Sequence, residues 1–404
     1  MDDRQIEATQ EYIYALAADP DFRTSGVCFA AHTKGVSRSE DGGASWYSAF
    51  DSLGLETPFQ ATSVAVSPCF RSDGLVLAGL PGGIARSIDG GMNWSILALP
   101  APPPFISSLA ISPDVAHDGM AFAGTMEDGV FLSYDRGEHW ERVSVADHAQ
   151  PVWSITFHPH DPKVMFIGYE NCEIFRSEDG GEHWQQLPVT VRFPEVTVAP
   201  GANPAKRILE LSANPANPNE LYGAIEVGGI IRSLDGGEHW DNVSHGHYLN
   251  DDTVDMHGVL VGRWRPGTVF AVARAGLFRS SDQGEHWVSA RLEPLNPKGQ
   301  TYCRDIREVP GDPKTIWVAA GPNFQSDAGV LFRSTDGGLT WGRVEMDVEP
   351  KTTMFAIAFD ERQPKRMYCA TSGGEVFASE DGGQSWAERH LPEGATQVYA
   401  MACA

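Results

Sequence analysis

The stretch Ser233-Leu234-Asp235-Gly236-Gly237-Glu238-His239-Trp240 decides the fold, because its pattern occurs eight times along the 404-residue chain. Each copy has a Ser, an Asp two residues later, a Gly two residues after that and a Trp three residues further on. The copies begin at Ser39, Ser87, Ser133, Ser177, Ser233, Ser280, Ser334 and Ser379. Successive motif Trp residues are 44 to 56 residues apart, so one period can hold a whole supersecondary unit.

Each period contains four short strand patterns. In the second period they cover residues 63–66, 75–78, 84–87 and 94–97, and the motif lies between the third and the fourth. The motif Gly suits a positive φ, and the Asp can accept hydrogen bonds from turn amides. A single blade cannot bury both of its faces, so blades stack and close a ring. The sequence predicts an all-β fold: a single eight-bladed β-propeller over residues 1–404, with four-stranded antiparallel blades.

The motif matches the Asp-box, or BNR repeat, and the chain resembles the Asp-box β-propeller superfamily over nearly its whole length. Sialidases, xyloglucanases, sortilin-type receptors and photosystem II assembly factors share this resemblance, which implies the fold and leaves the function open. It also implies that the boxes are structural and lie away from the ligand face. The same reading covers the four histidines that precede a box Trp: His139, His183, His239 and His286.

Two functions of similar proteins are disfavoured by this sequence. Sialidases resemble six-bladed rings with an early Phe/Tyr-Arg-Ile-Pro segment, which is absent here. Xyloglucanases typically have two propellers in a secreted chain. Gly-x-Ser-x-Gly, phosphate-binding and dinucleotide motifs are also absent, so serine-hydrolase, nucleotide and nicotinamide chemistry have no support.

Composition restricts the partners and the location. The net charge is −24, whereas nucleic acids and anionic membranes require a basic surface. There is no run of 18 apolar residues, and the first residues lack the features of a secretion signal. The six cysteines show no Cys-x-x-Cys spacing. We therefore expect an acidic, cytoplasmic protein that binds neither nucleic acid nor membrane.

The tail of the chain suggests how the ring closes. Residues 397–403 resemble an additional first strand, although residues 12–17 already supply one for the first blade. We expect the tail to pair at the seam and to fasten the first blade to the last.

Long connections point to the ligand face. Those at residues 185–206, 241–256, 288–302 and 321–328 are the most elaborate, and all belong to blades four to seven. The segment 244–257 is rich in imidazoles and carboxylates, which suit zinc, manganese or iron. The cofactor is otherwise unassigned; a divalent metal is one alternative, and its candidate ligands are His245, His247 and His257.

The first strands of the later blades begin with unusual charges. When the repeats are aligned, the position of Thr62 and Ser107 is occupied by His257 in blade six and by Arg304 in blade seven. The next position, that of Ser63, is occupied by Glu210 in blade five and by Asp305 in blade seven. Charges at such inner positions require a wet pocket or mutual pairing. The candidate catalytic residues are Glu210, Asp255, His257 and Asp305, and the candidate substrate-binding residues are Arg207, Arg304, Arg307, Glu170, Glu226 and Tyr302. Salt bridges that only lock the loops are the alternative.

Two main functional classes remain open, beside metal-dependent redox or lyase chemistry through His245, His247 and His257. The first is an intracellular hydrolase or lyase that acts on a polar small molecule or glycoside in a top-face pocket of blades four to seven, by acid–base chemistry. The second is a non-catalytic binding or assembly scaffold that uses its acidic surface to hold a protein partner.

Overall fold

The computed structural model describes residues 11–99, 105–145, 150–158, 161–191, 206–244, 251–324, 326–360, 363–389, 391–392 and 395–398. The described strands form eight sheets, seven of four strands and one of five, and all neighbouring strands are antiparallel except the first strand and the C-terminal strand. The first strands of successive blades contact one another around a central channel. The predicted eight-bladed β-propeller is therefore confirmed. The α-helices of the described part are single turns, α1 (Phe22–Ser25), α2 (Phe70–Asp73) and α3 (Val115–Asp118).

Blades 1 to 4 follow the chain in order from the channel outward. Blade 1 has β1 (Glu11–Ala18), β2 (Cys28–His32), β3 (Gly35–Ser39) and β4 (Tyr47–Ser48). Blade 2 has β5 (Ser63–Val66), β6 (Val76–Leu80), β7 (Gly83–Ser87) and β8 (Ser95–Ala98). Blade 3 has β9 (Ile106–Ile111), β10 (Ala121–Thr125), β11 (Val130–Ser133) and β12 (Glu141–Val143). Blade 4 has β13 (Val152–His158), β14 (Asp161–Tyr169), β15 (Ile174–Ser177) and β16 (Gln185–Gln186).

Blades 5 to 8 repeat this order. Blade 5 has β17 (Arg207–Asn214), β18 (Asn217–Glu226), β19 (Gly229–Ser233) and β20 (Asp241–Asn242). Blade 6 has β21 (Met256–Val261), β22 (Val269–Ala273), β23 (Gly276–Ser280) and β24 (Trp287–Ser289). Blade 7 has β25 (Tyr302–Val309), β26 (Asp312–Gly321), β27 (Val330–Ser334) and β28 (Gly342–Arg343). Blade 8 has β29 (Met354–Phe359), β30 (Met367–Thr371), β31 (Val376–Ser379) and β32 (Ala387–Arg389).

Each Asp-box is a closed hydrogen-bonded turn. In blade 5 the Ser233 hydroxyl donates to Asp235 (2.9 Å) and accepts from the Gly237 N–H (2.8 Å). The backbone and imidazole of His239 bond the same carboxylate, and these bonds hold the pKa of Asp235 down at about 2. All four box histidines lie 2.6 to 2.7 Å from their box Asp, which confirms their structural role.

Neighbouring blades are joined by apolar packing and by arginines. In four blades the second box Gly lies against an aromatic ring of the preceding blade, as Gly338 does against Phe270, and in three others it faces Leu or Val there. The Arg before the box Ser donates to a backbone carbonyl in the next box, as Arg232 does to Gln283 (2.8 Å). Equivalent bonds are made by Arg38, Arg86 and Arg176. Sequence analysis had not singled out these arginines, because their partners are in the next blade.

Residues 397 and 398 of the predicted tail strand pair at the seam as expected, whereas residues 399–403 lie outside the described residues. Strand β33 (Ala395–Val398) pairs in parallel with β1, with Gln397 beside Tyr12 and Val398 beside Ile13. It forms the inner edge of the first sheet and also approaches β30 of the last blade. No helix in the described part of the chain has the length and apolarity needed to cross a bilayer.

Candidate functional site

Backbone bulges place the candidate residues at the mouth of the channel. In blades 5, 6 and 7 the register of the first strand shifts between Ile208 and Glu210, between Met256 and Gly258, and between Cys303 and Asp305. A bulge re-aims side chains and leaves one residue outside the ladder. In blade 6 that residue is His257, and its Nδ1 lies 2.6 Å from the Cys303 carbonyl of blade 7.

The residue at the aligned position has the same joining role in other blades. The Thr62 hydroxyl donates to the Ile106 carbonyl (2.7 Å), and the Ser107 hydroxyl donates to the Val152 carbonyl (2.9 Å). His257 therefore replaces a structural hydroxyl and keeps its bond. Since Nδ1 must be the donor to a carbonyl, Nε2 carries the free lone pair of the neutral ring.

A guanidinium bridges two acidic side chains on the blade 4 side of the mouth. Arg207 lies 3.2 Å from Glu226 and 3.7 Å from Glu170, and its guanidinium stacks over the Trp153 ring at 4.7 Å. Stacking and the two carboxylates fix the orientation of Arg207. The arrangement brings together groups from blades 4 and 5.

Asp255 is the most perturbed carboxyl at the mouth. Its side chain is 20% exposed, and its oxygens lie 4.0 Å from His257 Nε2 and 3.8 Å from Arg274. Burial raises the pKa of Asp255 to about 6; Arg274 opposes the rise and the negative charge of Glu226 adds to it. A carboxyl with this pKa can hold a proton near neutrality and give it up, as a general acid must.

The pKa of His257 is shifted in the opposite direction. Burial lowers the pKa of His257 to about 3, and the positive charges of Arg304 and Arg274 lower it further. The ring is therefore neutral throughout the physiological range. It presents the Nε2 lone pair toward Asp255 and packs against the Tyr302 ring at 4.9 Å. Its geometry suits a positioning residue better than a proton carrier.

Glu210, Asp305 and Arg307 form a separate group on the channel wall. The Glu210 carboxylate accepts the Val259 N–H of the next blade (3.0 Å), and the Asp305 carboxylate accepts the Ile357 N–H (2.8 Å). Arg307 lies 3.1 Å from Asp305 and 3.6 Å from Glu210, so it reaches past blade 6 to blade 5. Gly258 leaves room for this, because a Cβ there would lie 2.8 Å from the Glu210 carboxylate. Burial raises the pKa of Glu210 in spite of Arg307.

We expect Glu210→Ala to destabilise the ring by about 1–3 kcal/mol, because the Val259 N–H would lose its acceptor. Glu210→Gln keeps an acceptor oxygen and should cost less. Urea unfolding measures both losses. Glu293→Ala serves as the control, since the Glu293–Arg343 pair is exposed and 3.9 Å apart and should contribute about 0–1 kcal/mol. If Glu210→Gln unfolded like the wild type but lost turnover, Glu210 would be catalytic rather than structural.

The structure divides the sequence-predicted residues into two groups. Seven of them lie around the mouth: Arg207, Glu170, Glu226, Asp255, His257, Tyr302 and Arg304. The other three, Glu210, Asp305 and Arg307, lie on the channel wall. Hydrogen bonds and salt bridges between blades account for their presence there, and their assigned catalytic and substrate-binding roles stay predictions. Of the proposed metal ligands only His257 is described, and His245 and His247 lie outside the described residues. The Nε2 atom of His257 carries a free lone pair, as a metal ligand must.

Other residues at the mouth were missed by sequence analysis. Arg274 lies in the tight turn between β22 and β23, and it bridges Asp252 (3.3 Å) and Asp255. Arg274 lies neither in a long connection nor at the start of a first strand, so its place in the sequence gave no signal. Away from the mouth, Asp179, Glu182 and His183 are close enough together to hold a cation, but they are exposed on a box turn and are explained by its hydrogen bonds.

Comparisons with known proteins agree with the fold. The Sortilin-Vps10 family ("Sortilin, neurotensin receptor 3") matches residues 82–221, about a third of the chain. No curated protein matches the chain. An ancestral GH74 enzyme has a TM-score of 0.52 and 16% identity over 93% of this chain and 54% of its own, so the chain spans about half of that enzyme.

Two further solved structures are less similar. YCF48 bound to D1 peptide has a TM-score of 0.47 and 16% identity, over 79% of this chain and 90% of that one. The GH74 xyloglucanase from Xanthomonas campestris has a TM-score of 0.37 and 15% identity, over 95% and 74%. The chain is thus similar to Asp-box propellers in fold, and its function has to be argued from its own site.

Proposed function

We propose that the protein is a hydrolase that acts on a neutral glycoside, or a similar polyhydroxyl small molecule, at the channel mouth of blades 4 to 7. The observation that carries the proposal is the Asp255 carboxyl, which has a pKa of about 6 and lies beside Glu226 and His257. Glycoside hydrolysis uses one carboxyl group as acid and a second as base. A carboxyl whose pKa is raised, next to a second carboxyl, is the arrangement that divides these two roles.

The charges at the mouth favour a neutral substrate. Among the described residues of the mouth, four carboxylates face four cationic side chains, and most are paired: Glu170, Glu226, Asp252 and Asp255 with Arg207, Arg274, Arg304 and Lys298. A site for a strongly anionic ligand would carry an excess of cations. Paired charges instead present hydrogen-bond donors and acceptors, which suit hydroxyl groups.

In the proposed mechanism Asp255 donates its proton to the leaving oxygen as the glycosidic C–O bond breaks. A water molecule adds its hydroxide to the carbon, and Glu226 accepts the proton that the water releases. Arg207 lies 3.2 Å from Glu226 and holds its carboxylate in place. His257 stays neutral and positions Asp255, and Arg304 and Arg274 donate to substrate hydroxyls.

The pH dependence of turnover tests this proposal. The acid must be protonated, and the pKa of Asp255 is raised to about 6, so the active form prevails below about pH 6. Above that pH we expect kcat/KM to fall by about tenfold per pH unit, because the protonated fraction falls by that factor. The measurement is release of 4-nitrophenol from a panel of α- and β-glycosides between pH 4 and 9. A rate that keeps rising through pH 8 would contradict the role of Asp255.

A binding scaffold is the second candidate, and one surface favours it. Ile88, Met92 and Tyr134 are each about half exposed on the box turns of blades 2 and 3, far along the chain from the mouth residues. Exposed apolar side chains of this kind are typical of protein contacts. Absence of turnover together with a partner lost from the Ile88→Ser variant would favour this function. The cytoplasmic location also stays a proposal; Cys69, Cys172, Cys303 and Cys369 of the described chain form no disulfide, which is compatible with it.

A further inference from the structure

One exposed aromatic side chain stands beside the proposed reacting groups. Phe324 lies in the turn between β26 and β27, and 51% of its surface is exposed. It packs at steep angles on two buried rings, Tyr302 (6.4 Å) and Phe355 (5.6 Å). Leaving half of a Phe side chain in water forgoes hydrophobic stabilisation that full burial would give. The exposed half of the ring is accessible to a ligand.

The turn that carries Phe324 is anchored on both sides. Asn296 donates to the Pro322 carbonyl (3.0 Å), and Thr353 donates to the Asn323 carbonyl (2.5 Å). On the far side, the Ser326 hydroxyl bonds to the Thr353 hydroxyl (2.7 Å). A side chain held this way loses little conformational entropy when a ligand binds, which is a property of preorganised sites.

Ring contacts connect Phe324 to the acid. Phe324 touches Tyr302, Tyr302 packs against His257 at 4.9 Å, and His257 Nε2 lies 4.0 Å from Asp255. The Arg304 guanidinium stacks over the Phe355 ring at 4.8 Å and so lies next to the same aromatic group. An apolar surface and hydrogen-bond donors are thus adjacent, and the rings of Tyr302 and His257 lie between Phe324 and the proposed proton donor.

We propose that Phe324 is a stacking platform for a pyranose ring of the substrate, in the unit next to the bond that is cleaved. One face of a pyranose carries C–H groups that pack on an aromatic ring, while its equatorial hydroxyls reach outward to donors such as Arg304. A nucleobase would also stack, but its phosphates would need an excess of cations, and the charges at the mouth are paired. This inference rests on the proposed function and adds the substrate class, a glycan of at least two units.

The test uses 4-nitrophenyl glycosides and the free disaccharides cellobiose, maltose and lactose. With the glycoside that the wild type hydrolyses, we expect Phe324→Ala to raise KM about tenfold with kcat within about twofold, because stacking of one ring contributes about that much binding. Phe324→Trp should restore KM. Leu339→Ala, which removes an exposed side chain on a box turn, is the control and should leave both constants unchanged. Thermal melts verify that all variants fold.

Disaccharide binding by calorimetry separates this inference from the proposed function. Hydrolysis that is indifferent to Phe324→Ala would overturn the platform and leave the hydrolase standing. Sugar binding that is lost in Phe324→Ala, without any hydrolysis by the wild type, would support the platform and overturn the hydrolase. If the wild type neither bound nor hydrolysed any sugar of the set, both would be overturned.

Discussion

Asp255→Asn is expected to lower kcat/KM by about 10²- to 10⁴-fold, the usual contribution of a positioned acid. The amide has the size of the carboxyl but no proton to give, and it leaves Glu226 and Arg207 in place. The fall in rate above pH 6 should disappear in the residual activity, since that limb reports the titration of Asp255. Initial rates across the pH range measure both effects.

The fold should tolerate this substitution. A carboxyl whose pKa is raised on folding stabilises the protein while protonated, and this contribution is lost as the pH rises through about 6. At pH 7 the Asn variant should therefore be at least as stable as the wild type in urea unfolding. Asp252→Asn is the matched control: Asp252 also bonds Arg274, and its exposure is nearly the same, 21% against 20%. We expect it to change the rate by less than about fivefold. Equal losses in both variants would mean that Arg274 matters and the acid does not.

Gly383→Ala is expected to be the most destabilising of the substitutions considered, at about 2–4 kcal/mol. Gly383 has φ +83°, and a Cβ there would overlap the ring of Trp317 in the preceding blade. Trp317 is 1% exposed and packed on all sides, so the ring cannot move away without opening the interface between blades 7 and 8. Urea unfolding at equilibrium measures the loss.

Gly382→Ala isolates the cause, because it lies in the same box with nearly the same φ, +76°. A Cβ at Gly382 would meet only the Lys365 side chain, at 3.9 Å. It should lose about 1 kcal/mol from backbone strain alone. The difference between the two variants is then the cost of the contact between blades. If the two losses were equal, the box glycines would be needed only for their positive φ.

The channel wall shows why charge alone does not identify a site. Glu210 and Asp305 stood out in the sequence because earlier blades have Ser in their slot. In the structure their carboxylates accept N–H groups of the next blade, a need created by the backbone bulges. A bulge is set by the packing of neighbouring strands, which no single repeat reveals. Asp255, in contrast, stood out only as one of many polar residues in a long loop.

By itself the sequence determined the eight-bladed ring and the position of every box. This was possible because the repeated local pattern has the same neighbours in every blade. The same hairpin therefore forms in all eight blades. Only the tertiary structure decided which charged residues meet at the mouth, that Arg274 and Phe324 join them, and that Asp255 carries the raised pKa. Burial and distance between blades set those properties, and both depend on residues far apart in the chain.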